Sequence, residues 1–162
     1  MSQPDAAFLG IPRIISFEGV DYKIGLITGK VKGEFERKML ARATQREAEK
    51  HKRGTLNRAE YQAELRLIGD REDAGEYSIE KVNARGAMFA TWCQKMLFEL
   101  LIPDASPEVL DRMLDERADE LQYHLAHIIT ESFQKTMKAN AEISTDPFVQ
   151  TEQESPPIVS QR

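Results

Sequence analysis

The chain has 162 residues, is 41% apolar and 30% charged, and carries a formal net charge of −5. That balance suits a soluble globular protein with one core and appended polar segments. Its single cysteine, Cys93, excludes an internal disulfide and fits a reducing compartment.

The most apolar stretch, residues 88–102, is interrupted by Gln94, Lys95 and Glu99, so no membrane span is expected. The first residues lack a basic segment followed by an apolar one, so a secretory signal is not expected either and a cytoplasmic location is. Charge is segregated along the chain: residues 1–29 sum to −1, residues 30–58 to +6 and residues 59–162 to −10. Opposite blocks attract, within one molecule or head to tail between copies.

Residues 1–12 lack any apolar period and contain Pro4, Gly10 and Pro12, which predicts an irregular lead. Two β-prone runs then flank Glu18-Gly19, predicting a hairpin over 14–24 with a positive φ at Gly19. Alternation puts Val20, Tyr22 and Ile24 on one face and Asp21 and Lys23 on the other. A lone hairpin is marginal in water, so its apolar face must dock on helices or extend a partner's sheet.

Gly25, Gly29 and Gly33 punctuate a connector, and a helix is expected from near Gly33, with Phe35, Met39 and Ala43 as a narrow apolar stripe. Beyond Ala43 the sequence TQREAEKHKR is polar all round, so this part is expected to project until Gly54 stops it. Asn57 with Glu60 predicts a capped second helix carrying Tyr61, Leu65 and Ile68. Ser78 caps the next, whose two apolar rows include Met88, Trp92 and Met96, and Phe89, Cys93 and Leu97. It is expected to be the most buried helix, running through Ala84 and Ala87 to Leu101.

Ser106-Pro107-Glu108 is a strong helix start. From Leu110 to Phe133 an amphipathic pattern follows, with a break near Asp115 possible on the sequence. After Lys138 the period stops, and residues 140–162 are expected to be a disordered tail. The expected organisation is a mainly α domain over 13–139 with a small hairpin, between lead and tail.

Several groups invite a chemical reading. The segment from Gly25 to Val31 superficially resembles a phosphate loop, but the glycine spacing is one residue short and Val31 has no hydroxyl for magnesium. Glu120, His124, His127 and Glu131 share one helix face within about 60° of arc. That face is expected to be solvated, and four successive turns do not converge on one ion. Cys93 beside Trp92 is read as a buried structural thiol. The pairs Asp115-Glu116 and Asp119-Glu120 are read as a solvated face, without an apolar pocket to raise a carboxyl pKa. No catalytic residue, cofactor or metal is therefore assigned.

Residues 30–58 hold ten cations, enough for a salt-sensitive phosphate contact. Glu34, Glu36, Glu47 and Glu49 are interleaved, and Phe35 is the only aromatic apt for stacking, so nucleic acid is disfavoured. An acidic protein, or the chain's own acidic half, fits better. The tail islands Asp146-Pro147-Phe148-Val149 and Pro156-Pro157-Ile158-Val159 can serve as short docking motifs or carry no function.

The hairpin ISFEGVDYKI, the run FERKMLARA, the step Gly75-Glu76-Tyr77, the helix MFATWCQKMLFELL and the entry SPEVLDRMLDE together resemble tail assembly chaperone-like proteins of bacteriophages. The resemblance covers roughly residues 13–138 and is one of layout. It implies a mostly helical, non-enzymatic protein of the host cytoplasm that binds tape-measure or tail-tube proteins; self-association is an expectation of the segregated charge, not of the resemblance. Expected alternatives are a structural or adaptor protein retained in the virion and a nucleic-acid binder using 30–58. The candidate protein-binding residues are Val20, Tyr22, Ile24, Phe35 and Met39, all of which fit a core role as well.

Overall fold

Glu18 and Gly19 both take positive φ, 50° and 78°. Two such residues make the turn whose twist matches a right-handed β-ribbon. Strands β1 (Arg13–Phe17) and β2 (Val20–Ile24) therefore pair antiparallel in a register that sets Ile15 opposite Tyr22 and Phe17 opposite Val20. The computed structural model describes residues 13–144; the irregular lead, the tail beyond 144 and both tail islands lie outside the described residues. Ile15, Phe17 and Ile24 point inward and are buried, while Ile14 and Lys23 face outward.

Helix α1 (Gly29–Lys52) starts earlier than expected, because the Thr28 hydroxyl accepts the Val31 N–H and caps it. Gly29 and Lys30 thus lie in a helical turn, and no phosphate-type loop forms. At about 36 Å long, α1 buries Phe35 and Met39 in its first half. Further out its buried residue is Glu47, whose two carboxylate oxygens accept from Lys50 at 2.8 and 2.9 Å.

Gly54 ends α1 with φ of 74°, and α2 (Arg58–Asp73) folds back along it. The Asn57–Glu60 capping box is formed in both directions, at 3.0 and 2.8 Å. The two helices make an arm whose own apolar content is small: in α2 the buried side chain is Ile68.

Ser78 caps α3 (Ile79–Ala84) as expected. The expected continuous helix to Leu101 is corrected. Gly86 at φ 70° ends α3, a 3-10 turn spans Ala87–Phe89, and α4 (Thr91–Leu101) begins afresh. Only one strip of α4 is buried: Cys93, Gln94, Leu97, Phe98 and Leu101. Ser106 caps α5 (Pro107–Glu116), and a break at Arg117 leads into α6 (Ala118–Ser144), which runs past residue 139.

One core cluster joins the hairpin (Ile15, Phe17, Ile24), α1 (Phe35, Met39), α4 (Leu97, Phe98), α5 (Leu110, Met113) and α6 (Leu121, Leu125, Ile128). Polar clamps fix the hairpin to it. The Gly25 N–H donates to Leu101 O at 2.7 Å, satisfying a carbonyl at the end of α4. A Cβ at Gly25 would lie 3.3 Å from that same oxygen.

The break at Gly86 has open space around it, so an added methyl meets no neighbour and only the backbone objects. Gly86→Ala should cost about 1 kcal/mol, the price of the left-handed region for an L residue, read as a lower denaturant midpoint with unchanged helical circular dichroism.

Candidate interaction surface

Of the five residues nominated from the sequence, Ile24, Phe35 and Met39 belong to the core. In the folded chain they are not available to a partner, and for them the core reading holds. Val20, at the hairpin's turn end, is 49% exposed. Tyr22 is half-buried against the core and keeps an edge at the surface.

The basic block is spread over an exposed helix, and much of its charge is already engaged. Within α1, Arg37 pairs with Glu34 at 2.5 Å and Lys50 with Glu47. Across the fold, Lys32 pairs with Glu80, and Lys38 with Glu99 at 2.7 Å. These pairs tie the basic block to the chain's own acidic half. Arg46, Lys52, Arg58 and Arg66 remain exposed on the arm and are in no ion pair with another described residue. At the arm's tip the His51 and Tyr61 rings stack at 4.8 Å and 1°, and His51 Nδ1 lies 2.9 Å from Leu56 O.

Two aromatic residues expected in the core stand at the surface instead. Phe89 is 55% exposed and Trp92 37% exposed, on either side of the start of α4. The Arg42 guanidinium lies 4.4 Å from the Trp92 ring centroid, a cation–π contact that keeps the indole at the surface. The signal in the sequence was Gly86: a break there rotates Phe89 off the buried strip of α4.

The Glu120–His124–His127–Glu131 face is not the solvated one expected. Arg13 of β1 lies over it, donating to His124 O at 3.1 Å and pairing with Glu131 at 3.5 Å. A guanidinium thus occupies the place of a cation there. Burial and Arg13 hold the His124 imidazole below its ordinary value of 6.5, with Glu120 opposing. His127 instead meets Tyr123 edge-on, at 4.4 Å between centroids.

Cys93 is buried in α4, its Sγ 3.8 Å from Met88 Sδ, and burial pushes the thiol up to about 11. A thiol so far from its thiolate form at neutral pH is a poor nucleophile. Asp115, Glu116 and Asp119 are exposed, and Glu120 is paired with Arg117 at 3.4 Å. An open cleft of about 360 Å³ lies at the start of α1, lined by residues including Ile27, Thr28 and Lys32. Its amino group is turned to Glu80.

No family model, curated protein or solved structure matches the chain. Among the described residues no helix is long and apolar enough to cross a membrane.

Two outcomes follow. Phe35→Ala should cost about 3–5 kcal/mol as a fully buried aromatic, whereas Val20→Ala should change stability by less than about 0.5 kcal/mol; chemical denaturation of both variants checks the assignment. Because the folded chain holds His124 below 6.5, the unfolded chain binds that proton more readily. The contribution is therefore intact above pH 6.5 and lost as pH falls below it. Denaturation midpoints should drop between pH 7.5 and 5.5 (about two units spanning the imidazole range), and His124→Gln should flatten the drop.

Proposed function

We propose that this is a non-enzymatic assembly chaperone of the phage-tail type, holding a tape-measure or tail-tube protein through its α1–α2 arm. The observation that carries the reading is the arm itself: two capped helices that bury little besides Phe35, Met39, Ile68 and Glu47 and keep their flanks open. Amphipathic helices of a long client lie along such flanks, with Leu67, 45% exposed, as an apolar contact on α2. The layout resemblance to tail assembly chaperone-like proteins supplies the client class and the host cytoplasm as the place of action. Retention in the virion as an adaptor is the alternative, distinguished by whether the chain is found in mature particles.

The test is affinity capture of the tagged full chain from cells making its native neighbours, followed by mass spectrometry. A very long helical protein or a tube subunit should co-purify, and Leu67→Glu should lower its recovery several-fold without moving the melting temperature. Recovery of nucleic acid with no stoichiometric protein would overturn the reading and shift attention to the cations around His51 and Tyr61.

A further inference from the structure

Phe89 and Trp92 stand at the surface beside α1, 55% and 37% exposed. Arg42 lies over the indole, and Arg46 continues that face of α1 one turn on. Both arginines are exposed, and neither is in an ion pair with another described residue. Lys38, one turn before Arg42, is matched by Glu99, and Arg85 and Lys95, which flank the aromatic pair in sequence, are matched by Glu76 and Asp111. What is left is a small face of two aromatic rings and two guanidinium groups. Such a face suits an acidic, proline-bearing segment, because carboxylates bond to guanidinium groups and extended prolines dock on aromatic rings.

The chain itself carries a segment of that kind. Residues 152–159, EQESPPIV, combine Glu152 and Glu154 with the adjacent Pro156 and Pro157, without a cation, and lie outside the described residues. Adjacent prolines favour the extended polyproline conformation, which costs little entropy to bind.

Distance permits the contact. Ser132 of α6 and Gly29 of α1 line the same cleft. From there α6 runs about 18 Å to Ser144, and α1 runs about 20 Å to Arg42. The chain from Ser144 to Pro156 spans up to about 40 Å when extended. It therefore reaches the face even where the two helices lead apart. The island Asp146-Pro147-Phe148-Val149 is a poorer match, with one acid and one proline. The chain from Ser144 to Phe148 spans only about 14 Å.

We infer that residues 152–159 dock on the Arg42–Arg46–Phe89–Trp92 face of their own chain, the glutamates against the arginines and the prolines against the two rings. The contact lies within one molecule, so the tether supplies its effective concentration and no second copy is needed. Arg46 also belongs to the arm, so the docked segment closes the arm's inner end. That consequence rests on the function proposed above, and the docking does not.

Trp92 is the only tryptophan in the chain and reports on its own surface. Acrylamide quenching of its fluorescence in the purified full chain tests the inference without any client. Trp92 should be shielded in the wild type. Pro156→Ser combined with Pro157→Ser should raise quenching several-fold, and so should Glu152→Lys combined with Glu154→Lys. Arg46→Glu should act likewise, and joining it to the two lysine substitutions should restore the shielding. Dilution should leave the shielding unchanged, since a contact within one chain has no concentration dependence. Circular dichroism should be the same for every variant, so that quenching reads the docking and not unfolding. Equal quenching in the wild type and the tail variants, shielding lost on dilution, or no restoration in the charge-reversed combination would each overturn the inference. Failure here leaves the proposed function standing, and a chain that captures no client leaves the docking standing. Where a client is captured, the tail variants should recover more of it than the wild type.

Discussion

A two-stranded ribbon has no second layer of its own, so its apolar face must find one elsewhere. In this chain that constraint organises the whole domain. Ile15, Phe17 and Ile24 enter the same cluster as Leu97, Phe98, Leu110 and Leu121, joining segments far apart in sequence. Three polar clamps then hold the ribbon in one pose. Glu18 at the turn meets Arg112 of α5 through two bonds, Arg13 at the other end meets α6, and Gly25 closes on the end of α4. The Glu18–Arg112 pair is solvent-exposed and adds direction more than stability. Burial drives the docking and the clamps choose its register.

What could be read beforehand was chemistry written over a few neighbouring residues. The Asn57–Glu60 box, the Ser78 and Ser106 caps and the Glu18-Gly19 turn each need only local partners, and each formed as expected. Gly86 was different. A glycine within an apolar helical period is compatible with a helix interior and with a helix end, and packing decides between them. Once α3 stops there, α4 buries one strip, and Phe89 and Trp92 fall outside it. The start of α1 was missed for a related reason: Thr28 caps a first turn with no acid and no apolar period to announce it. The same limit touched the candidate site. Apolar spacing marks Val20 and Phe35 alike, and only the tertiary arrangement leaves the first at the surface and buries the second.

Charge segregation turned out to have two uses in one fold. Lys32 with Glu80, and Lys38 with Glu99, staple the inner half of α1 to α3 and α4. Past Met39 those acidic partners end, and α1 continues with Arg46 and Lys52 facing solvent. A single helix thus serves as a core element over its first half and as an outward-facing one over its second. The transition falls where the apolar stripe stops.

That transition also sets a gradient of stability. Local opening costs least where few apolar contacts must be broken. The inner half of α1 is held by Phe35, Met39 and two ion pairs to other helices. The outer half and α2 are held by Ile68, the Glu47–Lys50 pair, the Asn57 cap and the His51–Tyr61 stack. Most helical stability in proteins comes from packing of an apolar face, so each arm helix depends on the other. The arm is therefore the part of the molecule that a bound helix can stabilise most. In the proposed function, a client lying along it would supply the apolar neighbours that the arm's own sequence lacks, with the hairpin-sealed core unchanged.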